Sequence, residues 1–500
     1  MNMVPPAAAR IPLGLILSHH AAIDPERPAL TQDGVTLSRA ELDARANRRA
    51  RLLARHGVGQ GDFVIFALPN SIAFFETSFA LWKLGAVPCP ISPKMPAAEC
   101  AAIVEAVSPR LVIGPPGLCF AQCPTLAPDA EPGLEDGDQP LPARVSPSWK
   151  AITSGGSTGR PKVIVTALDG RADPAGPGYA LQRPGDTILN PGPLYHNAAF
   201  SAAHQCLFGG GHVVNMERFD AEACLALIER YRVTYVMMVP TMMGRIWRLP
   251  EAVRGRYDLS SLRTLVHLGG PCSPWLKESW IGWIGPGRLF EIYAGTEGIG
   301  ATIINGTDWL AHRGSVGRPA PGTEMRILHP DGSPCAPGEV GEIFFRHASG
   351  AGPNFRYIGS EMKVTDGWTS LGDLGHTDDD GFLYISDRRT DLIISGAVNI
   401  YPAEVEAAIE RHPDVRGSVV IGLPDDDLGN RVHAIVQVAP GSEPALDAET
   451  LAAYLASQLA RYKVPRSFEF VTTDLRDEVG KARRSQFRQE RLSQESMGRK

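Results

Sequence analysis

A chain of 500 residues is longer than one compact core ordinarily holds, and its hydrophobic fraction of 43% is that of a packed globule, so two or more domains are expected. Charged residues make up 21% and the net charge is only −6, a field too weak to make nucleic acid or an anionic membrane the main partner. Any anionic ligand must be held by a local site.

The first apolar stretch, Ile11 to Leu17, follows Arg10 and precedes His19 and His20 with no small-residue cleavage site, so it is not read as a signal peptide. Leu42 to His56 has the spacing of an amphipathic helix, ended by Gly57 and Gly59. Phe63 to Leu68 then reads as a short strand stopped by Pro69. Helical patterns follow at Ile72 to Leu84 and near Ala98 to Val107, with a strand at Leu111 to Ile113, the alternation of an α/β sheet covered by helices. Pro124 to Pro147 is rich in Pro, Asp, Glu and Gly and reads as a surface connection between two lobes. Beyond it come a helix around Ala221 to Tyr231 and strands at Tyr235 to Val239, Thr264 to Leu268 and Leu289 to Ile292. From Gly322 the pattern changes to short strands and turns, Met325 to Leu328 and Gly341 to Phe345, which predicts a small β-rich lobe.

The charged run Asp387, Arg388, Arg389, Asp391 precedes an apolar strand and a helix starting near Pro402. The expected organisation is a large domain over 1–386, a hinge at 387–391 and a small C-terminal α+β domain over 392–500. No run approaches the ~20 apolar residues of a membrane-spanning helix. The cysteines are scattered, and the close pair Cys119 and Cys123 has no second pair nearby to complete a zinc site. They read as reduced thiols, and a cytoplasmic protein without a membrane partner is expected.

The most informative segment is Thr153-Ser154-Gly155-Gly156-Ser157-Thr158-Gly159-Arg160-Pro161-Lys162, set between two apolar stretches. Its glycines let backbone N–H groups approach phosphate oxygens, its hydroxyls donate further hydrogen bonds and Lys162 adds positive charge. It is not a Walker A loop, because Pro161 separates the glycines from Lys162 and the residues after Lys162 read as a strand. In Glu291-Ile292-Tyr293-Ala294-Gly295-Thr296-Glu297-Gly298, a carboxylate in a Gly-rich turn suits Mg²⁺, and an aromatic ring just upstream suits a purine. Asp373, after Gly372, is read as a turn carboxylate able to accept ribose hydroxyls, and Arg388 as a sugar or phosphate contact. Gly480-Lys481, in a charged stretch, would by itself be a solvated surface lysine.

Together these segments resemble the superfamily of adenylate-forming enzymes that includes acyl-CoA synthetases, peptide-synthetase adenylation domains and beetle luciferases. The resemblance runs in order from Gly61-Asp62 to Lys481. It is nearest to acyl-CoA ligases of the fatty-, aryl- or bile-acid type at Pro193-Leu194-Tyr195-His196-Asn197 and from Ser386 to Glu406. It implies ATP-dependent activation of a carboxylic acid as an acyl-AMP, with Mg²⁺, followed by transfer to CoA. In that reading Thr153 to Gly159 embrace the pyrophosphate portion of ATP, and Gly269-Gly270-Pro271 with Tyr293 bracket the adenine. Thr296 contacts the α-phosphate, Glu297 ligates Mg²⁺, and Asp373 with Arg388 holds the ribose. His196 is the aromatic gate of the acyl pocket and Lys481 reaches in from the small domain.

The chain departs from the pattern at Ala294 and Ala397, where glycine is usual, and at Thr390, a hinge position commonly Asp or Lys. Acceptors other than CoA are also compatible with these motifs: a carrier-protein thiol, an amine, or a pathway in which nitrite is the activated oxyanion. His196 to Ala199, Met237 to Val239 and Met242 are candidates for the acyl pocket, with core packing the equal alternative for the methionines. The oligomeric state is left open, a homodimer being the commonest arrangement of soluble enzymes.

Overall fold

The computed structural model describes residues 10–115, 123–133, 135–154, 162–349, 354–359, 364–365, 367–388, 391–395, 398–425, 428–438, 446–477 and 480–498. Side chains are described for these residues except 154, 364–365, 387–388 and 495–498.

At the centre is a nine-stranded sheet. Its strands run in the order Arg318–Pro319, Ala301–Asn305, Leu289–Ala294, Thr264–His267, Tyr235–Met238, Thr187–Asn190, His212–Asn215, Pro28–Gln32, Val35–Ser38. The six strands from Leu289–Ala294 to Pro28–Gln32 are mutually parallel, and antiparallel strands close both edges. Neighbouring residues of a strand point to opposite faces. Ile188, Val213, Tyr235, Met237 and Val266 therefore enter one core, while Leu189, Val214, Val236, Met238 and Leu265 enter another. Helices Arg39–Arg55, Ile72–Lys83 and Asn197–Phe208 cover the first face. Helices Ala221–Arg230, Pro240–Trp247 and Pro274–Ile284 cover the second. Burial on both faces explains why the strands are continuous apolar runs rather than alternating ones.

The expected elements are present with shifted ends. The helix predicted from Leu42 begins at Arg39, because Ser38 and Glu41 form a reciprocal capping box: Ser38 Oγ accepts from Glu41 N at 3.2 Å and Glu41 Oε2 from Ser38 N at 2.8 Å. The segment read as a connection contains a strand, Thr125–Leu126, which joins a parallel sheet of order Val87–Pro90, Phe63–Phe66, Leu111–Ile113, Thr125–Leu126. Farther along that segment, Asp136 is buried and paired with Arg55, so it is anchored to the long helix rather than lying free over the surface. The β-rich lobe is a sheet built on Thr323–Leu328, Gly341–His347 and Trp368–Thr377. Asp373 lies inside the last of these strands rather than at a turn, just after a kink at Gly372 with φ +79°. Asp387 and Arg388 likewise end a strand, Leu383–Arg388.

The C-terminal part has its own sheet, Val415–Asp425, Gly429–Val438 and Ser467–Val471, with helices Pro402–Ile409 and Ala448–Ala456 around a separate core of Val405, Ile409, Val420, Ala434, Val436 and Leu451. Among the described residues no helix is long and apolar enough to cross a membrane, and the described cysteines are free.

Candidate active site

In an open parallel sheet the carboxyl ends of the strands, near the point where the strand order reverses, form the crevice that takes ligands. Here Thr187–Asn190 lies between Tyr235–Met238 and His212–Asn215, so that reversal falls at the middle of the sheet. Four neighbouring parallel strands end there. The segment to His196 follows the first, Thr241 follows Met238, Gly269-Gly270-Pro271 follow His267, and Gly295-Thr296-Glu297 follow Ala294.

A hairpin supplies the opposite wall. Ala151–Ser154 and Lys162–Thr166 pair antiparallel with Ser154 opposite Lys162, and Phe355–Ile358 adds a third strand. Thr153 and Ser154 thus end one strand and Lys162 begins the next, whereas Gly155, Gly156, Ser157, Thr158 and Gly159 lie outside the described residues. From this wall Lys162 Nζ donates to Glu297 Oε1 at 3.2 Å and to the Tyr357 hydroxyl at 3.0 Å, and that hydroxyl donates to Glu297 Oε1 at 2.7 Å. Burial opposes ionisation of Glu297, but the Tyr357 hydrogen bond and the Lys162 charge outweigh it and hold the carboxyl below its usual range. Tyr357 is correspondingly pushed up, first by burial and then by the carboxylate. Both side-chain donors sit on the same oxygen, Oε1. An ionised carboxylate suits Mg²⁺, a hard cation that takes oxygen ligands.

A second pair lies alongside. The Tyr293 hydroxyl donates to Asp373 Oδ2 at 2.5 Å, and Asp373 is only 5% exposed. The strand register sets Arg388 directly opposite Asp373. Ala294 ends its strand exposed to solvent, so its methyl group is accommodated. At Gly295 a Cβ would lie 2.8 Å from the Leu371 side chain and 2.9 Å from Glu297 Oε2, so both side chains would have to shift.

The small domain closes over the crevice. Lys481 and Asp477 are tied by Lys481 N to Asp477 Oδ1 at 2.9 Å and Asp477 N to Lys481 O at 3.0 Å. A Cβ on Gly480 would be 3.3 Å from Thr241, and one on Gly270 would be 3.7 Å from Gly480 O. Lys481 is therefore carried to the same strand ends as Gly269-Gly270-Pro271. His196 precedes the helix Asn197–Phe208 with its ring 4.5 Å from Tyr195. The next residue, Asn197, lines a cavity of about 90 Å³ together with Thr296 and Glu297.

Met237, Met238 and Met242 are buried in the two cores, which decides for packing among the two readings of the methionines. Thr390, Gly396 and Ala397 lie outside the described residues. The sequence reading missed Tyr357 and Lys150. Tyr357 sits 60 residues from Glu297 with no local signal, whereas Lys150 announces itself as a charge placed inside an apolar strand entry, Trp149-Lys150-Ala151-Ile152.

Residues 17–352 match the family described as AMP-binding enzyme, and residues 404–481 match the AMP-binding enzyme C-terminal domain. A feruloyl-CoA synthase of Amycolatopsis sp is 33% identical over 480 residues, covering 90% of this chain and 93% of its own. A fatty acid–acyl-carrier-protein ligase of Streptomyces coeruleorubidus is 30% identical, covering 94% and 95%. Among solved structures, o-succinylbenzoate CoA synthetase from Bacillus subtilis, in complex with its acyl-adenylate intermediate, superimposes with a TM-score of 0.79 at 28% identity, covering 96% of this chain and 98% of that one.

Proposed function

Because the chain belongs to the family of AMP-binding enzymes, we propose that it activates a carboxylic acid with ATP as an acyl-adenylate and passes the acyl group to the thiol of coenzyme A. The observation that carries this reading is the convergence on one set of strand ends of an ionised carboxylate, Glu297, a tyrosine–aspartate pair, Tyr293 and Asp373, and the Lys481 turn. In the first step a carboxylate oxygen of the acid attacks the α-phosphorus, the bond to the β-phosphate oxygen breaks and pyrophosphate leaves. In the second the thiol sulfur attacks the acyl carbon, AMP leaves and the thiol proton is released.

Each residue has a part in the proposal. The loop from Thr153 to Gly159, with Lys162, cradles the leaving phosphates, and Gly269-Gly270-Pro271 and the Tyr293 ring flank the adenine. Asp373 and Arg388 take the ribose hydroxyls. Thr296 donates to the α-phosphate, and Glu297 holds Mg²⁺, which would supply positive charge beside the phosphates. His196 borders the acid. Lys481 places an ammonium where negative charge develops on the α-phosphate oxygens, the kind of charge contact that dominates such transfers. After the first step the C-terminal domain turns about residues 387–391 and withdraws Lys481, opening the way to the thiol.

The test is pyrophosphate release with a panel of aromatic, fatty and steroid acids, with and without CoA, and product identification by mass spectrometry. An acyl-CoA formed only in the complete mixture is the expected result. Acyl-AMP without thioester would move the acceptor to a carrier-protein thiol, the second reading, favoured by the similarity to the acyl-carrier-protein ligase. Lys481→Ala is expected to slow pyrophosphate release by ~10²-fold or more. Transfer to CoA from supplied acyl-AMP should continue in that variant. A variant with normal pyrophosphate release would remove the lysine from the first step.

A further inference from the structure

The face of the three-stranded sheet that looks into the site carries two lysines, and the site chemistry described above uses one of them. The register sets Ile152 opposite Ile164 and Ser154 opposite Lys162, and on the other side Phe355 opposite Thr166 and Tyr357 opposite Ile164. Side chains two residues apart share a face. Lys150 and Ile152 therefore line up with Thr166 and Ile164 and, beyond them, with Phe355 and Tyr357, and Lys162 continues the same face. At one end Lys162 is neutralised by Glu297. At the other end is Lys150, four residues before Ser154, so about 13 Å of strand separates it from the phosphate loop. That distance removes Lys150 from the phosphates.

Lys150 has two neutral partners: Nζ donates to Asn197 Oδ1 and, at 2.6 Å, to Ser201 Oγ. It also stands 4.3 Å above the Trp149 ring. Among the described residues no carboxylate pairs with it, in contrast to the buried lysines Lys83, paired with Asp43, and Lys277, paired with Glu291. A lysine has three N–H donors, so one remains after Asn197 and Ser201 are served. Uncompensated burial pushes the ammonium down to about 7. The group lines the cavity of about 90 Å³ whose other walls include Asn197, Ile164, Phe355, Thr296 and Glu297. One cavity thus runs from Lys150, which has no carboxylate partner among the described residues, to the strand end that carries Thr296 and Glu297.

We propose that Lys150 receives an oxygen acceptor carried by the acid substrate at the end remote from its activated carboxyl. The substrate class is then an oxygenated acid, bearing a second carboxylate or a carbonyl or hydroxyl oxygen beyond an apolar stem that Ile152, Ile164, Leu168 and Phe355 contact. The inference rests on the adenylation reading, because that reading places the activated carboxyl at Thr296. A site built to hydrogen-bond a substrate oxygen discriminates strongly against the analogue that lacks it, since its own polar groups are then left unpaired.

The experiment compares kcat/KM for pyrophosphate release on matched acids: decanoate against decanedioate, 9-oxodecanoate and 10-hydroxydecanoate, and cinnamate against 4-carboxy- and 4-hydroxycinnamate. It is run on the wild type, Lys150→Met and Lys150→Arg, with thermal unfolding of each variant as the control for folding. The wild type is expected to prefer the oxygenated partner by at least about tenfold. Lys150→Met should bring that ratio to within about twofold of unity, and Lys150→Arg should keep a preference. A preference confined to the dicarboxylate identifies the acceptor as an anion, and one shared with the oxo or hydroxy acid identifies a neutral oxygen. Equal use of both members of each pair by the wild type overturns the proposal, as does a Lys150→Met variant that loses activity on both in the same proportion. An enzyme that releases pyrophosphate with neither kind of acid overturns the adenylation reading, and this proposal falls with it.

Discussion

Burial by itself would drive the Glu297 carboxyl toward its neutral form, and a neutral carboxyl is a poor partner for a metal ion or for Lys162. It is kept ionised by local groups, a hydroxyl at 2.7 Å and an ammonium at 3.2 Å on the same oxygen. Those groups also set the sign of the pH effect. A carboxyl whose pKa is lowered by the fold stabilises that fold above its unfolded value of ~4.3, and the contribution is lost as pH falls through the lower folded value. Tyr357→Phe deletes the hydroxyl and leaves burial opposed by Lys162 and the Glu297 backbone N–H, so the folded pKa rises and the loss moves to higher pH. The acid limb of the pH profile for pyrophosphate release is expected to shift upward, with a higher Mg²⁺ requirement. An acid limb and Mg²⁺ requirement that stay where the wild type has them would mean that the hydroxyl does not set the charge of Glu297 in the working enzyme. Lys150, by contrast, has the neutral partners Asn197 and Ser201 and no carboxylate among the described residues.

The strand Leu289–Ala294 and the turn after it show how an element sets what its residues can do. Ala294 departs from the family pattern with its side chain exposed to solvent, whereas one residue later a Cβ would meet the ends of the Leu371 and Glu297 side chains, which would have to shift. Gly295→Ala is expected to lower kcat/KM for ATP by about 10- to 100-fold by displacing the Glu297 carboxylate. The double variant with Leu371→Ala should recover part of that loss, because it clears one of the two contacts. No recovery would place the whole effect on Glu297. Elements of this kind were legible in the sequence where a local chemical reason coincides with the apolar pattern. The strand after Lys162 reads as Val163-Ile164-Val165 between a proline and polar residues, and it forms as expected. The start of the helix at Arg39 was displaced because a capping box is polar and invisible to hydrophobic spacing. Met237 and Met238 were undecidable because adjacent residues of a doubly covered strand go to opposite cores, and either core could have been a pocket. Tyr357 was missed because its partner comes from another sheet.

At the scale of the whole molecule, the sequence established that motifs 328 residues apart, at Thr153 and Lys481, belong to one site only through resemblance, since no local property of the final turn points to it. The structure supplies the physical reason: Gly480, next to Lys481, lies against Thr241 and Gly270, beside the sheet's crevice. Among the described residues, polar contacts help hold it there. Arg245 Nη2 meets Asp474 Oδ2 at 3.1 Å, Arg248 Nη2 donates to the Arg416 carbonyl at 2.9 Å, and Asp474 is also held by Gln437 Nε2 at 2.9 Å. Arg245 and Asp474 are 53% and 64% exposed, so their pairing is screened and is worth no more than ~1 kcal/mol. A docked state held so lightly exchanges with others, as the proposed rotation requires, and small changes at its rim should shift the balance. Arg245→Glu sets a second carboxylate beside Asp474 and is expected to slow pyrophosphate release by up to about fivefold. Thioester formation from supplied acyl-AMP should not slow. Adding Asp474→Arg restores an attractive pair and should return pyrophosphate release toward the wild-type rate. If Arg245→Glu slowed both half-reactions alike, or the reversed pair failed to recover the first, the contact would belong to folding rather than to the docked state. An effect on the first half-reaction alone, cured by reversal, would show that the arrangement with Lys481 over the crevice is the one in which the acid is adenylated.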